Sequence, residues 1–185
     1  MSRPENSGPQ TTVDQLAEPV SDRDHVQGPA DASVTLVTYG DFECPYCAEA
    51  YDAVGQLRDE MDDVRFIFRH FPLDVHPHAW QAAEAAEAAA AQGRFWEMHD
   101  LLYEHRDSLE TDDLRGYAAQ LDLDENYFAQ ELEGGAFTER VQEDTLSGAR
   151  SGVSGTPTLF INGQRYDQQW DADILRAALE DITVE

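Results

Sequence analysis

The sequence predicts an α/β fold interrupted by a helical insertion, on three observations. A strand, a helix and a second strand follow one another between residues 34 and 71; helical periodicity then fills most of about 76–150; strand character returns only near 158–166, ahead of a last helix. With 185 residues the chain can bury a core of its own.

Residues 1–26 are polar, carry Pro and Gly and show no sustained period, so they are expected to be a flexible polar tail ahead of an ordered domain at 27–183. Order is expected to begin near Gly28-Pro29. Val34-Thr35-Leu36-Val37-Thr38-Tyr39 is β-branched and apolar on both faces, as a buried strand should be, and Gly40 ends it. A helix follows from Pro45 to about Met61, with Tyr51, Val54, Leu57 and Met61 recurring at three and four residues. Val64 to Phe71 reads as the next strand, stopped by Pro72. This is a βαβ unit, whose strands should be parallel and joined by a right-handed crossover.

In the helical block, Trp80, Ala83, Ala86 and Ala90 make one face of an alanine-rich helix that Gly93 can stop. Phe95, Met98 and Leu102 stripe a second helix. Leu114, Tyr117, Ala118 and Leu121 stripe a third, with Thr111 as its N-cap. Asp124 caps a fourth that carries Phe128 and Leu132, and Phe137, Val141 and Thr145 mark a fifth that ends near Gly148. Thr158-Leu159-Phe160-Ile161, the turn Asn162-Gly163 and Gln164-Arg165-Tyr166 form a hairpin. Ile174, Leu175, Ala178 and Leu179 belong to the last helix.

Asp and Glu number 38 against 12 basic residues, all of them Arg, for a net charge of −26. Nucleic acid is therefore not an expected partner. The acids are spread along the chain, a composition that resembles the proteomes of salt-loving archaea, where hydrated carboxylates are screened by molar cations. No apolar run suggests a signal segment or a membrane span, and the expected location is cytoplasmic.

Both cysteines fall in Cys44-Pro45-Tyr46-Cys47, so there is no second pair for a structural disulfide framework. A thiol attacks a disulfide only as thiolate, and this segment is suited to stabilise one. With Cys44 at the N-cap, Pro45 takes the first helical position at no cost, while Tyr46 and Cys47 present free N–H groups to the Cys44 sulfur at the positive end of the helix dipole. Cys44 is expected to be the exposed nucleophile and Cys47, one turn on, the buried resolving thiol. A zinc site is the alternative, but zinc takes four ligands and His70, His76 and His78 would have to complete it. Asp41 and Glu43 flank the nucleophile and read as solvated surface carboxylates more readily than as proton carriers. His70 reads as a hydrogen-bonded strand-end histidine, and His76 and His78 as loop or cap residues.

Four segments together carry a family resemblance: Asp41-Phe42-Glu43-Cys44-Pro45-Tyr46-Cys47, Arg69-His70-Phe71-Pro72-Leu73, Phe95-Trp96-Glu97-Met98-His99-Asp100-Leu101-Leu102, and Gly152-Val153-Ser154-Gly155-Thr156-Pro157-Thr158. Over about residues 24–179 the chain resembles the DsbA-like thiol/disulfide oxidoreductases. The resemblance implies a thioredoxin-like fold with an inserted helical subdomain, and disulfide exchange with protein thiol or disulfide substrates served by a separate redox partner, without a cofactor or metal. It also implies that Pro157 is cis and faces the couple, and that Thr156 contacts substrate. Exported members usually carry His where this chain has Tyr46, so oxidation, reduction and isomerisation all remain open as the direction of exchange. Two other functions stand beside this one: a glutaredoxin-like reductase of mixed disulfides with a small thiol, and a zinc-dependent or chaperone-like binding module.

Overall fold

A computed structural model describes residues 14–183. Its sheet has five strands: β1 (His25–Gln27), β2 (Val34–Gly40), β3 (Val64–His70), β4 (Thr158–Ile161) and β5 (Gln164–Tyr166), in the spatial order β1-β3-β2-β4-β5. The seven helices among the described residues are α1 (Pro45–Glu60), α2 (Ala79–Ala90), α3 (Phe95–Glu104), α4 (Thr111–Gln120), α5 (Glu125–Glu133), α6 (Thr138–Arg150) and α7 (Ala172–Thr183). β2 and β3 pair in parallel through the α1 crossover, with Val37 opposite Ile67. The other three pairings are antiparallel. Asn162 and Gly163 both have positive φ, 47° and 80°, which a two-residue turn matched to strand twist requires.

Strand alternation divides the core. Val34 and Leu36 of β2 face Leu57 of α1 and Leu175 and Leu179 of α7, all with no exposed surface. Burial of each such side chain contributes roughly 1.5–3 kcal/mol. Val37 and Tyr39 face the opposite side, against Ile67, Phe160 and Val153. There Gly148 lets α6 approach closely, since a Cβ at this position would lie 2.7 Å from the Phe71 ring and 3.0 Å from Tyr39. α2 is the hub of the insertion, with seven of its alanines buried. Trp80, expected on its buried face, is exposed at 36%. Thr111 is the first residue of α4 and not its cap: Glu110 takes that role, in a reciprocal box with Asp113.

The part of the expected tail before Asp14 lies outside the described residues. The rest, 14–26, does not hang free. Leu16 N–H donates to Gly163 O at 2.8 Å, Arg165 N–H to Asp14 O at 2.8 Å, and Ala17 N–H to Ser151 Oγ at 2.9 Å. Arg69, 3% exposed, grips the segment from inside, with Nε and Nη2 on the two oxygens of Asp24 at 2.8 and 3.0 Å, Nη1 on Glu18 O and Nη2 on Pro19 O. The segment reads as a tail because its anchors lie on distant elements. β1 adds a short strand to the β3 edge.

Candidate active site

β2 ends at Gly40, and a short turn delivers the chain to α1. Phe42 fixes that turn: it is buried, stacked on Phe68 at 5.2 Å and tilted against Tyr103 at 4.9 Å. Cys44 follows as the N-cap, extended at φ −75° and ψ 124°, with Pro45 at the first helical position. Its N–H donates to Asp41 O at 3.2 Å. The helix start therefore aims its free N–H groups at the Cys44 sulfur.

Both cysteines are free thiols and both are covered. Cys44 is 3% exposed and Cys47 2%, so the expected exposure of the nucleophile is not found. The cover is the loop before β4: the Cys44 thiol donates to Thr156 O at 3.5 Å, and the Thr156–Pro157 peptide is cis. The two sulfurs differ electrostatically instead. The hydrogen bond from the Cys47 thiol does most to pull the Cys44 thiol down, against burial, to about 5; the Thr156 side chain and the N–H groups of Cys47 and Tyr46 add to it. Cys47 is pushed far up, first by burial and then by Cys44. The Thr156 hydroxyl is buried without a hydrogen-bond partner while Cys44 is a thiol, and so remains free to donate to a thiolate.

Asp41 is not solvated, and Glu43 is half-buried. Asp41 is 1% exposed and accepts from Glu43 N–H at 2.8 Å, Leu73 N–H at 2.9 Å and His76 Nδ1 at 2.7 Å. Glu43 accepts from His78 N–H at 2.7 Å and pairs with its Nδ1 at 2.8 Å. Burial alone would lower the His76 pKa, but the hydrogen bond and charge of Asp41, with Cys44 and Glu43 behind them, raise it. His70 is a strand-end histidine with Nε2 on Glu87. All three histidines that a zinc site at the cysteines would need are thus held by carboxylates.

Behind Cys47 is a cavity of about 30 Å³, the size of one water, whose lining includes Thr38, Tyr51, His99 and Tyr103. Burial drives the His99 pKa down to about 4 despite its Nδ1 contact with Asp100 at 2.9 Å, so the ring is neutral at pH 7. On the outside, Tyr46 is 59% exposed and meets Trp170 edge-on at 6.4 Å. Trp170 escaped the sequence reading because nothing in Gln168-Gln169-Trp170-Asp171 marks a site.

A family model described as thioredoxin matches residues 20–181. Among curated sequences, the chain is 49% identical over 168 residues to a protein named Na(+)/H(+) antiporter NhaA 1 of Salinispora arenicola, covering 90% of this chain and 26% of that protein. A protein of the same name from Mycolicibacterium vanbaalenii is 44% identical over 179 residues, covering 94% and 29%. The chain thus spans about a quarter of the length of the curated relatives it matches. Among solved structures, BdbD from Bacillus subtilis superposes with TM-score 0.80 at 23% identity, covering 88% of this chain and 94% of that one. A thioredoxin-like oxidoreductase from Silicibacter pomeroyi gives 0.79 at 24%, covering 89% and 95%. The thiol-disulfide exchange protein alpha-DsbA2 from Wolbachia pipientis gives 0.76 at 21%, covering 85% and 86%. The expected thioredoxin-like α/β fold is therefore found, in its DsbA-like form.

Proposed function

The chain belongs to the thioredoxin family, and on that premise we propose that it is a thiol/disulfide oxidoreductase exchanging disulfides with protein substrates through Cys44 and Cys47. The observation that carries this reading is the inequality of the two sulfurs: Cys44 caps α1 beside the Thr156 carbonyl with its pKa pulled down to about 5, whereas burial pushes the Cys47 thiol up.

In the direction we favour, a substrate thiolate attacks Cys44 of the oxidised couple, and Cys47 leaves and takes up a proton. A second substrate thiolate then attacks the substrate sulfur of the mixed disulfide, and Cys44 leaves as a thiolate. The products are a substrate disulfide and the Cys44/Cys47 dithiol, two electrons having passed to the protein; a partner disulfide must reoxidise it. Stabilising the Cys44 thiolate favours the reduced couple and makes its disulfide the stronger oxidant. The contact of the Thr156 carbonyl with the Cys44 thiol supports reading Thr156, beside Pro157, as the residue whose backbone pairs with an extended substrate. Among the described residues no helix is long and apolar enough to cross a membrane. The proposal for this chain is thiol chemistry, not the ion exchange in the names of its longer relatives.

Equilibrating the couple against glutathione tests the direction. A potential nearer to about −120 mV than to about −270 mV is expected. A value at the reducing end would reverse the direction, and equal catalytic rates for the protein and Cys44→Ser would overturn the function.

A further inference from the structure

Away from the cysteines, two buried side chains and one half-buried one, from three elements, converge on one point. His25 of β1 and His70 at the end of β3 both direct Nε2 to the same oxygen of Glu87 on α2, each at 2.7 Å, and the three ligand atoms lie within 4.8 Å of one another. We propose that His25, His70 and Glu87 form a binding site for one divalent first-row transition-metal ion of the zinc class.

The geometry favours a centre over a pair of separate hydrogen bonds. A carboxylate offers two oxygens, and two independent donors are free to take one each. Here both imidazoles share Oε1. The rings are also aimed by packing: His25 stacks on Phe95 at 3.5 Å, and His70 stands edge-on to Phe42, Phe68 and Phe95 at 6.0, 5.3 and 6.0 Å. Through Nε2 the His70 ring makes its polar contact with Glu87, and ligation there would put the ring proton on Nδ1, which is buried without a protein acceptor and would need a water.

Charge points the same way, because buried carboxylates are paired or bind metal. Asp24 and Asp144 hold the guanidinium groups of Arg69 and Arg140. Glu87 holds only two imidazoles, with the Arg140 charge felt at longer range. Two ring nitrogens and one carboxylate oxygen suit zinc, cobalt or nickel, whereas calcium and magnesium take oxygen sets. Bonds of about 2.0–2.2 Å at tetrahedral angles need ligand atoms about 3.3 Å apart, so each 2.7 Å contact has to open by only about half an ångström. The His25 side chain is 16% exposed, giving an entry path from solvent. A bound ion would fasten β1, and with it the segment before it, to β3 and α2.

The test uses the full chain with Cys44→Ser and Cys47→Ser, so that the couple cannot bind the metal, in molar NaCl to suppress surface binding. Zinc titration by calorimetry is expected to give one equivalent, cobalt(II) to give the visible bands of a low-coordinate site, and zinc to raise the melting temperature. Adding His25→Ala or, separately, the isosteric Glu87→Gln should remove the equivalent and the bands, while circular dichroism shows each variant folded. Failure of the cysteine-free protein to bind either ion, or a cobalt spectrum that survives both substitutions, would overturn the proposal.

Discussion

Asp41 and His76 meet at 2.7 Å, and the Asp41 side chain has no exposed surface while that of His76 has 21%. The carboxylate is thus a buried anion that ties the loop at 72–78 to the turn bearing Cys44. Its Oδ1 takes the Glu43 N–H and its Oδ2 both the Leu73 N–H and His76 Nδ1, so in Asp41→Asn either orientation of the amide sets its NH2 against at least one donor. A loss of about 1–3 kcal/mol is expected in denaturant unfolding.

The same pair sets a pH dependence. The folded pKa of His76 is raised, so the stability it contributes is fully present below the ordinary histidine value of about 6.5 and is lost as pH rises through the raised one. Unfolding midpoints of the oxidised protein, in which Cys44 does not titrate, should fall across that window. In His76→Gln the fall should be absent.

The contrast between what was legible and what was not follows from where each residue finds its partners. Cys44-Pro45, the β2 run and Asn162-Gly163 declare themselves because cap, strand and turn geometry are local. Asp41 and Glu43 look like two more surface acids in a chain with 38, and the histidines that pair with them stand 35 residues away. The signal available was the matched spacing, since 41 and 43 differ by two as do 76 and 78. Glu87 is hidden in an alanine and glutamate run, and β1 has three half-buried residues that become a strand only through the β3 edge. Trp80 was misplaced because buried alanines surround most of α2, so no single stripe identifies its outer side.

Cys44 should titrate near 5 when followed by thiolate absorbance in the reduced protein. Its depressed pKa gives the reduced fold a stability present above the ordinary thiol value of about 8.5 and lost as pH falls through about 5. Thr156→Val removes a hydroxyl that lowers this pKa but has no partner in the dithiol form. The titration should move up while stability at acid pH changes by less than about 0.5 kcal/mol. A titration that stays near 5 would mean that the hydroxyl does not reach the thiolate.

Asp24→Ala leaves the Arg69 guanidinium buried at the sheet without its carboxylate, and of the contacts that hold the segment it removes the Asp24 ones, leaving Arg69 on the Glu18 and Pro19 carbonyls. Losing one partner of a buried pair costs about 3–5 kcal/mol. The expected result is a drop of that order in unfolding free energy together with new protease cleavage before His25. Unchanged cleavage would show that the contacts of Leu16 and Ala17, with Arg69 on the Glu18 and Pro19 carbonyls, hold the segment without the Asp24 carboxylate.

The roles of the two sulfurs can be separated by trapping. With the exchange run in reverse and the Cys44 thiolate attacking a substrate disulfide, the intermediate is again a mixed disulfide on Cys44, and Cys47 is the protein thiol held close enough to release the substrate quickly. Cys47→Ser should therefore accumulate protein adducts on Cys44 that vanish with added dithiol on a gel. Trapping should slow as pH falls through about 5, where the Cys44 thiolate is lost. Cys44→Ser should trap almost nothing, since the Cys47 pKa is driven far up by burial and its thiolate is scarce at neutral pH. Adducts with a small thiol alone, seen by intact mass, would favour reduction of mixed disulfides over exchange with proteins. Trapping through Cys47 at a rate equal to that through Cys44 would reverse the assignment of nucleophile and resolving thiol.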